Sequence, residues 1–268
     1  MQVEVNNIAL HYVDEGQGKP VVLIHGFPFD HHLWDHQVNI LSQTNRVIVP
    51  DLRGFGESDH PDEIYTMTQY AADIIALLDL LQIEKAVMAG LSMGGYVALA
   101  IADQFPERMD GLILSNTRSA KDTAAVRQNR YNTIEKINYD GTEFLIEEMI
   151  QKVLSKKTLK EKPEVVEFVE KMMRRQDAVG IKGALAGMAQ RKDRTFILNA
   201  LQVPVIVING KKDSLISVIE AKRMARELSM GHLEVIPASG HLSNLVQPEK
   251  YNEILKRFIE SCEVVEPR

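Results

Sequence analysis

The chain has only one cysteine, Cys262, among its 268 residues. One cysteine cannot form an intramolecular disulfide, so the sequence excludes a disulfide-stabilised scaffold and fits a reducing compartment. Cys262 also has no adjoining histidine or glycine-rich turn, which disfavours it as a nucleophile.

Long apolar runs are also missing. No segment approaches the roughly 18–20 consecutive apolar residues that span a bilayer. Residues 1–13 lack the basic start and the apolar run of a signal peptide. We therefore expect no association with a membrane and a cytoplasmic location.

The chain has no excess of positive charge. Its 31 Lys and Arg residues face 37 Asp and Glu residues, a net charge of −6, which argues against a nucleic-acid partner. The charge is uneven, since residues 118–195 hold 17 basic and 12 acidic residues while the remainder has a net charge of −11. Two interpretations stay open: a solvated lysine-rich surface, or cations that face a cleft and attract an anionic substrate.

Apolar runs alternate with helical patterns along most of the chain. A hairpin is predicted within residues 3–13. Six continuous apolar runs, typical of strands buried on both faces, lie at residues 20–24, 46–49, 86–89, 111–114, 204–208 and 233–236. Helices are predicted at residues 68–81, with Thr68 as the N-cap, and at 217–229 and 248–261. This order predicts an α/β fold with a mostly parallel sheet covered on both faces.

The alternation stops between residues 118 and 195. Apolar residues there recur at helical spacing, and the segment has no apolar strand run. We expect an inserted helical cap at 118–195, with the core domain formed by residues 1–117 and 196–268.

A glycine-rich turn follows the apolar run at 86–89. It reads Gly90-Leu91-Ser92-Met93-Gly94-Gly95 and precedes a helical pattern. A serine in a strand–turn–helix of this kind has a strained backbone and projects its hydroxyl from the sheet. Gly90 and Gly94 occupy positions where a Cβ would crowd the backbone. Ser92 is therefore a candidate nucleophile; the alternative is a small-residue turn that only packs the helix on the strand.

A serine nucleophile needs a base, and the base needs an orienting acid. Ligands gather at the carboxyl ends of parallel strands. Asp213 follows the run at 204–208, and His241 follows the run at 233–236. The order serine, aspartate, histidine is that of a nucleophile-elbow hydrolase.

Other roles for these residues stay open. Asp213 could cap the helix that begins near residues 214–217, and His241 could pack in a loop. Asp51 and Asp193 are competing acids, although the loop at Asp51 is better explained as structural.

An oxyanion hole needs two N–H donors. One is expected from Met93, after the nucleophile, and one from Phe27, in the loop after the run at 20–24. Gly26 lets that loop turn, and His25 is expected to brace it.

Metal and nucleotide cofactors are not expected. His32 and His36 could share a helix face, next to His31, but zinc would need a third ligand and supporting contacts. The G-x-G within residues 51–58 lacks the third glycine and the following helix of a dinucleotide site.

Several motifs together resemble the serine-nucleophile branch of the α/β-hydrolase superfamily over nearly the whole chain. They are His25-Gly26-Phe27-Pro28, Asp51-Leu52-Arg53-Gly54-Phe55-Gly56-Glu57-Ser58, Gly90-Leu91-Ser92-Met93-Gly94-Gly95, Asp213 and Gly240-His241. The resemblance implies Ser92 as nucleophile, Asp213 as acid and His241 as base. It also implies an oxyanion hole from the N–H groups of Phe27 and Met93, and a cap at 118–195.

Within the superfamily, the elbow and Leu114-Ser115-Asn116-Thr117 look most like 3-oxoadipate enol-lactonases and small carboxylesterases. Similar elbows occur in haloperoxidase-like esterases and in carbon–carbon bond hydrolases. Related haloalkane dehalogenases and epoxide hydrolases use aspartate at the elbow, so Ser92 argues against both.

The expected function is therefore hydrolysis of a small ester or lactone, with an anionic substrate as one option. The alternatives are carbon–carbon hydrolysis or perhydrolysis on the same residues, and a ligand sensor on a hydrolase scaffold. The oligomeric state stays open, although no feature of the sequence indicates a homo-oligomer.

Overall fold

The computed structural model describes residues 1–229 and 231–262. Met230 and residues 263–268, which belong to the predicted core segment 196–268, lie outside the described residues. Within the described part, no helix is long and apolar enough to cross a membrane.

One eight-stranded sheet runs through the described residues. Its strands are β1 (Gln2–Val5), β2 (Ile8–Glu15), β3 (Lys19–Ile24), β4 (Asn45–Pro50), β5 (Ala86–Leu91), β6 (Met109–Ser115), β7 (Val205–Gly210) and β8 (Gly231–Ile236). The spatial order is β1-β2-β4-β3-β5-β6-β7-β8. The pairs β1/β2 and β2/β4 are antiparallel, and all other pairs are parallel. The predicted hairpin, the strands at the six apolar runs and the mostly parallel sheet are confirmed. Burial on both faces is wrong for the run at 233–236, because β8 lies at the edge of the sheet and has Ile236 as its one buried residue.

Helices cover both faces of the sheet and fill the segment between β6 and β7. They are α1 (Asp35–Leu41), α2 (Met67–Leu80), α3 (Met93–Gln104), α4 (Ala124–Asp140), α5 (Glu143–Val153), α6 (Lys156–Glu161), α7 (Pro163–Arg174), α8 (Ala178–Ala189), α9 (Val218–Arg226), α10 (Ser243–Val246) and α11 (Pro248–Ser261). Short 3₁₀ turns occupy His31–Trp34, Pro106–Arg108 and Thr195–Ala200.

The prediction of Thr68 as the N-cap of α2 is wrong. Thr66 caps this helix, because its backbone is extended and its hydroxyl accepts a hydrogen bond from the Gln69 N–H at 3.1 Å. Thr68 lies one residue inside the first turn. The other two predicted helices are present, although α9 already ends at Arg226.

Two apolar clusters sandwich the sheet. Val22 and Ile24 of β3 point into the cluster that contains α2 and α3. Val21 and Leu23 point to the opposite face, into the cluster that contains α1 and α11. Since both sides of each central strand are buried, the strand sequences read as continuous apolar runs rather than as alternating ones.

Residues 118–195, which we call the insertion, contain α4–α8. Helix α8 lies very close to the core, because a Cβ at Gly180 would stand 1.7 Å from Gly54 O and a Cβ at Gly187 would stand 1.7 Å from Tyr65 O. Helix α4, in contrast, has Ile137 as its one buried residue. The insertion thus contacts the core closely at α8, whereas α4 packs on α8 and leaves most of its surface exposed or half-buried.

Candidate active site

Ser92 stands at the turn between β5 and α3. Its backbone has φ 56° and ψ −113°, a conformation that costs a non-glycine residue free energy. A Cβ at Gly90 would lie 2.2 Å from Gly94 O, and a Cβ at Gly94 would lie 2.2 Å from Ile24 O. Between Ala86 and Ala102, Ser92 is the only residue that is not buried. The strand, the strained serine and the helix therefore meet as the turn pattern predicts.

The end of β6 braces this turn. The Ser92 N–H donates to Ser115 O at 2.9 Å, and the Thr117 hydroxyl donates to Ser92 O at 2.7 Å. Sequence reasoning assigned no supporting role to Thr117, because the contact joins two segments 25 residues apart.

Two backbone N–H groups lie beside Ser92 without an obvious acceptor. Met93 is the first residue of α3, so its N–H has no intrahelical partner. Within residues 1–229 and 231–262, the Phe27 N–H donates to no protein oxygen. Phe27 and Ser92 line the same cavity.

His25 holds the loop that carries Phe27. Its Nδ1 donates to Gly26 O at 2.8 Å, and its Nε2 accepts the Leu52 N–H at 2.9 Å. This pair of contacts defines the neutral tautomer, because one nitrogen must donate and the other must accept. Complete burial also lowers the pKa of His25. Both ring nitrogens are occupied, so His25 braces the loop.

Asp213 lies on the loop after β7, and its side chain is fully buried. One carboxylate oxygen, Oδ2, accepts from His241 Nδ1 at 2.9 Å and from Asn116 Nδ2 at 2.8 Å. The other oxygen accepts the N–H groups of Leu215 and Ile216 at 2.8 and 3.0 Å. Burial alone would raise the pKa of Asp213, but its contacts with His241, Asn116 and Ile216 hold the pKa below its usual value.

Asp213 thus orients a histidine and closes a turn at the same time, on different oxygens. It does not cap α9, because Ser217 does so in a reciprocal capping box with Glu220.

The loops of Asp213 and His241 are tied to the end of α5. The His241 N–H donates to Val153 O at 3.0 Å, and the Ser214 hydroxyl donates to Lys152 O at 2.7 Å. Carbonyls in the last turn of a helix have no intrahelical donor. The two core loops therefore supply hydrogen-bond donors to the carbonyl groups at the end of α5, a helix of the insertion.

Ser92 and His241 open into a cavity of about 470 Å³ between the core and the insertion. Its apolar wall is formed by Phe27, Tyr96, Val126, Phe144, Leu145, Met149, Leu185, Met188, Leu215 and Ile216. Its polar wall is formed by Arg118, Asp122, Asn129, Arg130, Asn132, Thr133, Lys136, Glu148, Lys152 and Ser214.

The four cations of this lining all have partners. Arg118 lies 3.4 Å from Glu220, Arg130 lies 2.6 Å from Asp122, Lys152 lies 3.0 Å from Glu148, and Lys136 Nζ lies 3.8 Å from the centroid of the Phe144 ring. Three of these four cations are therefore paired with a carboxylate, and Lys136 lies on an uncharged ring.

The two competing acids lie elsewhere. Asp51 accepts hydrogen bonds from the ring nitrogens of His11 and His31 and from two backbone N–H groups. Asp193 accepts the Thr195 N–H at 2.9 Å and closes a turn. Neither contacts His241.

His32 and His36 do not form a ligand set among the described residues. His32 Nδ1 pairs with Asp35 at 3.1 Å, and the two compact groups with ligand-type side chains are His11, His31 and Glu57, and Asp30, His31 and Asp51. The Asp30 and Asp51 oxygens already accept several N–H donors, which a metal would have to displace.

Known proteins share this architecture. A profile of the alpha/beta hydrolase fold matches residues 19–248. The 3-oxoadipate enol-lactonase 2 of Acinetobacter baylyi is 30% identical over 258 residues, which cover 94% of this chain and 95% of that protein. A thermophilic esterase from Thermogutta terrifontis, solved with malate bound, superposes with a TM-score of 0.95 at 37% identity and covers 98% of this chain and 99% of its own. A bromoperoxidase from Bacillus anthracis, 24% identical with a TM-score of 0.84 over 94% of this chain and 96% of its own, supports the fold alone. On the profile match and these relatives, the chain belongs to the α/β-hydrolase family.

Proposed function

We propose that this protein is a serine hydrolase that cleaves a carboxylic ester or a lactone through an acyl-enzyme on Ser92. One observation carries the proposal: the buried bond between His241 Nδ1 and Asp213 Oδ2 lies at the same cavity as the strained Ser92. The esterase and enol-lactonase relatives support this reaction class.

In the proposed reaction, His241 Nε2 takes the Ser92 proton while Oγ attacks the substrate carbonyl. The N–H groups of Phe27 and Met93 stabilise the oxyanion of the tetrahedral intermediate. His241 then gives its proton to the leaving alcohol, and the acyl group stays on Ser92. Water, deprotonated by the same imidazole, releases the acid.

Asp213 has two tasks in this scheme. Its hydrogen bond holds His241 with Nδ1–H toward the carboxylate, so that Nε2 is the free base. Its negative charge stabilises the imidazolium that forms. The depressed pKa of Asp213 keeps the carboxylate ionised throughout the neutral range.

The insertion serves as a cap in this proposal. It supplies most of the polar wall of the cavity, and α5 holds the loops of the acid and the base. Lys136, whose partner in the wall is the uncharged Phe144 ring, suits a substrate that carries a carboxylate. The malate bound to the Thermogutta esterase is a dicarboxylate, in keeping with this preference.

The test is hydrolysis of nitrophenyl esters of increasing acyl length. We expect Ser92→Ala to lower turnover by roughly 10⁴- to 10⁶-fold while the circular dichroism spectrum stays unchanged. The control is Ser261→Ala, since the Ser261 hydroxyl donates to Phe258 O at the end of α11, and Ser261 does not line the cavity. Turnover by Ser92→Ala close to that of the wild type would refute the proposal. A folded wild type without ester turnover would favour carbon–carbon substrates, perhydrolysis or ligand sensing.

A further inference from the structure

Asn116 is a buried residue directly after β6 with an unusual backbone. Its φ of 47° lies in the left-handed region, which asparagine tolerates better than most residues with a side chain. Its N–H donates to Ile208 O of β7 at 2.8 Å. The end of β6 is thereby turned toward the loop that carries Asp213.

The side-chain amide of Asn116 has partners on both sides. Nδ2 donates to Asp213 Oδ2 at 2.8 Å and, at 3.4 Å, to Gly240 O. Oδ1 accepts the hydroxyls of Ser243 at 2.8 Å and Ser115 at 3.2 Å. The carboxylate and the carbonyl require a donor, so these partners fix which end of the amide is nitrogen.

We infer that Asn116 is a positioning residue of the acid–base pair, acting through Asp213. It donates to the same oxygen, Oδ2, that accepts His241 Nδ1–H. The carboxylate plane is therefore held from three directions: by His241, by Asn116 and by the turn N–H groups on Oδ1. This role concerns the reaction proposed above, but the geometry can be tested without any turnover.

Removal of the Asn116 side-chain amide would take one hydrogen-bond donor away from Asp213 Oδ2. A buried carboxylate oxygen that loses a donor becomes harder to keep ionised, so the pKa of Asp213 rises. An oxygen with one partner fewer can also rotate away from His241. Asn116 is thus one of the two donors, together with His241, that hold Asp213 Oδ2 in place.

The charged surroundings of Asp213 are simple. His241 is the titratable side chain that is hydrogen-bonded to it. Lys212 precedes it on its own loop, and Arg118 reaches the loop through Leu215 O at 2.6 Å. The insertion therefore contacts this loop twice, through the charged side chain of Arg118 and through the neutral backbone carbonyl of Lys152.

The experiment is a carbon-13 NMR titration of the Asp213 carboxyl in the full chain. We expect Asn116→Ala to raise the pKa of Asp213 by roughly one pH unit. Asn116→Asp keeps the shape and the acceptor for Ser243 but sets two carboxyl groups side by side, so a larger rise is expected. This second variant also covers the case in which Asn116→Ala fails to fold.

The matched control is Asn209→Ala. Asn209 is equally buried at the end of β7, and its amide donates to Gly210 O and Ile216 O, both at 3.1 Å, rather than to Asp213. We expect a loss of stability in this variant without a change in the Asp213 titration.

Ester kinetics supply the second measurement. Both Asn116 variants should lose roughly tenfold in kcat/KM near neutrality, because Asp213 orients His241 less well. The further loss that comes from protonation of Asp213 should begin at a higher pH in both variants than in the wild type. An unmoved Asp213 titration would overturn the inference even if kcat fell, because a purely structural role predicts that result. Absence of turnover dependent on Ser92 in the wild type would instead refute the proposed function and leave the NMR result to decide on Asn116.

Discussion

Two histidine–carboxylate pairs in this molecule have the same length and different surroundings. His241 and Asp213 are 2.9 Å apart, and so are His31 and Asp51. His241 lines the same cavity as Ser92, whereas His31 lies in a cluster with His11 and Asp30. The length of the hydrogen bond therefore does not show which of the two pairs could act as an acid–base pair. The position of His241 at the cavity that Ser92 also lines does distinguish them.

The His31–Asp51 pair predicts how stability depends on pH. Burial would lower the pKa of His31, but its hydrogen bond to Asp51 and the nearby negative charge outweigh burial and raise it. Stabilisation from a raised pKa is complete below the unfolded value, near 6.5, and is lost as pH rises through the folded value.

We therefore expect this pair to lower the free energy of unfolding of the wild type as the pH rises from 6 to 9. Urea denaturation at both pH values should show a smaller fall in His31→Gln. His32→Gln, at the more exposed neighbouring position, serves as the control. An equal fall in His31→Gln and the wild type would contradict the assignment.

At the scale of elements, the insertion is held unevenly. Glycines of α8 meet backbone oxygens of the core, and the end of α5 is tied to the loops of Asp213 and His241. Helix α4 forms much of the polar cavity wall and buries little of itself. Helices α5 and α8 thus contact the core directly, whereas α4 packs on α8 and borders the cavity.

Gly187→Ala tests this anchoring. Alanine normally favours a helix over glycine by about 1 kcal/mol. Here its Cβ would lie 1.7 Å from Tyr65 O, so we expect a net loss of about 1–3 kcal/mol in the free energy of unfolding. Chemical denaturation measures the change, with Gln190→Ala at the exposed end of α8 as the control. A stabilised Gly187→Ala would show that α8 is not packed as described.

The strands and much of the candidate site could be predicted from short segments of the sequence. Central strands are buried on both faces, so their apolar runs are unmistakable, and Ser92 stands in a turn whose glycines are required locally. The roles of Thr117 and Asn116 depend on contacts across neighbouring strands. Segments 25 and 97 residues apart meet there, and no short-range pattern carries that information.

At the scale of the whole molecule, charge is divided between core and insertion. The insertion has a net charge of +5 and the remainder −11. Most cations at the cavity are paired, which limits their pull on a bound anion. The field of the insertion would therefore act mainly on the approach of a substrate.

This division predicts a dependence on salt. Because mobile ions screen exposed charges beyond about 10 Å at 0.1 M salt, kcat/KM for an ester that carries a carboxylate should fall several-fold from low to high salt. A neutral ester of the same size is the control and should change little. An equal salt dependence of kcat/KM for the two esters would contradict the proposed preference for anionic substrates.

The most direct test of the account is covalent labelling with a fluorophosphonate. Ser92 Oγ would attack phosphorus and expel fluoride, and His241 would take the serine proton. Mass spectrometry of the wild type should show one phosphonyl group, mapped to Ser92, with no label on Ser92→Ala. A label on another residue, or no label on an enzyme that still hydrolyses esters, would contradict the central claim that Ser92 is the nucleophile.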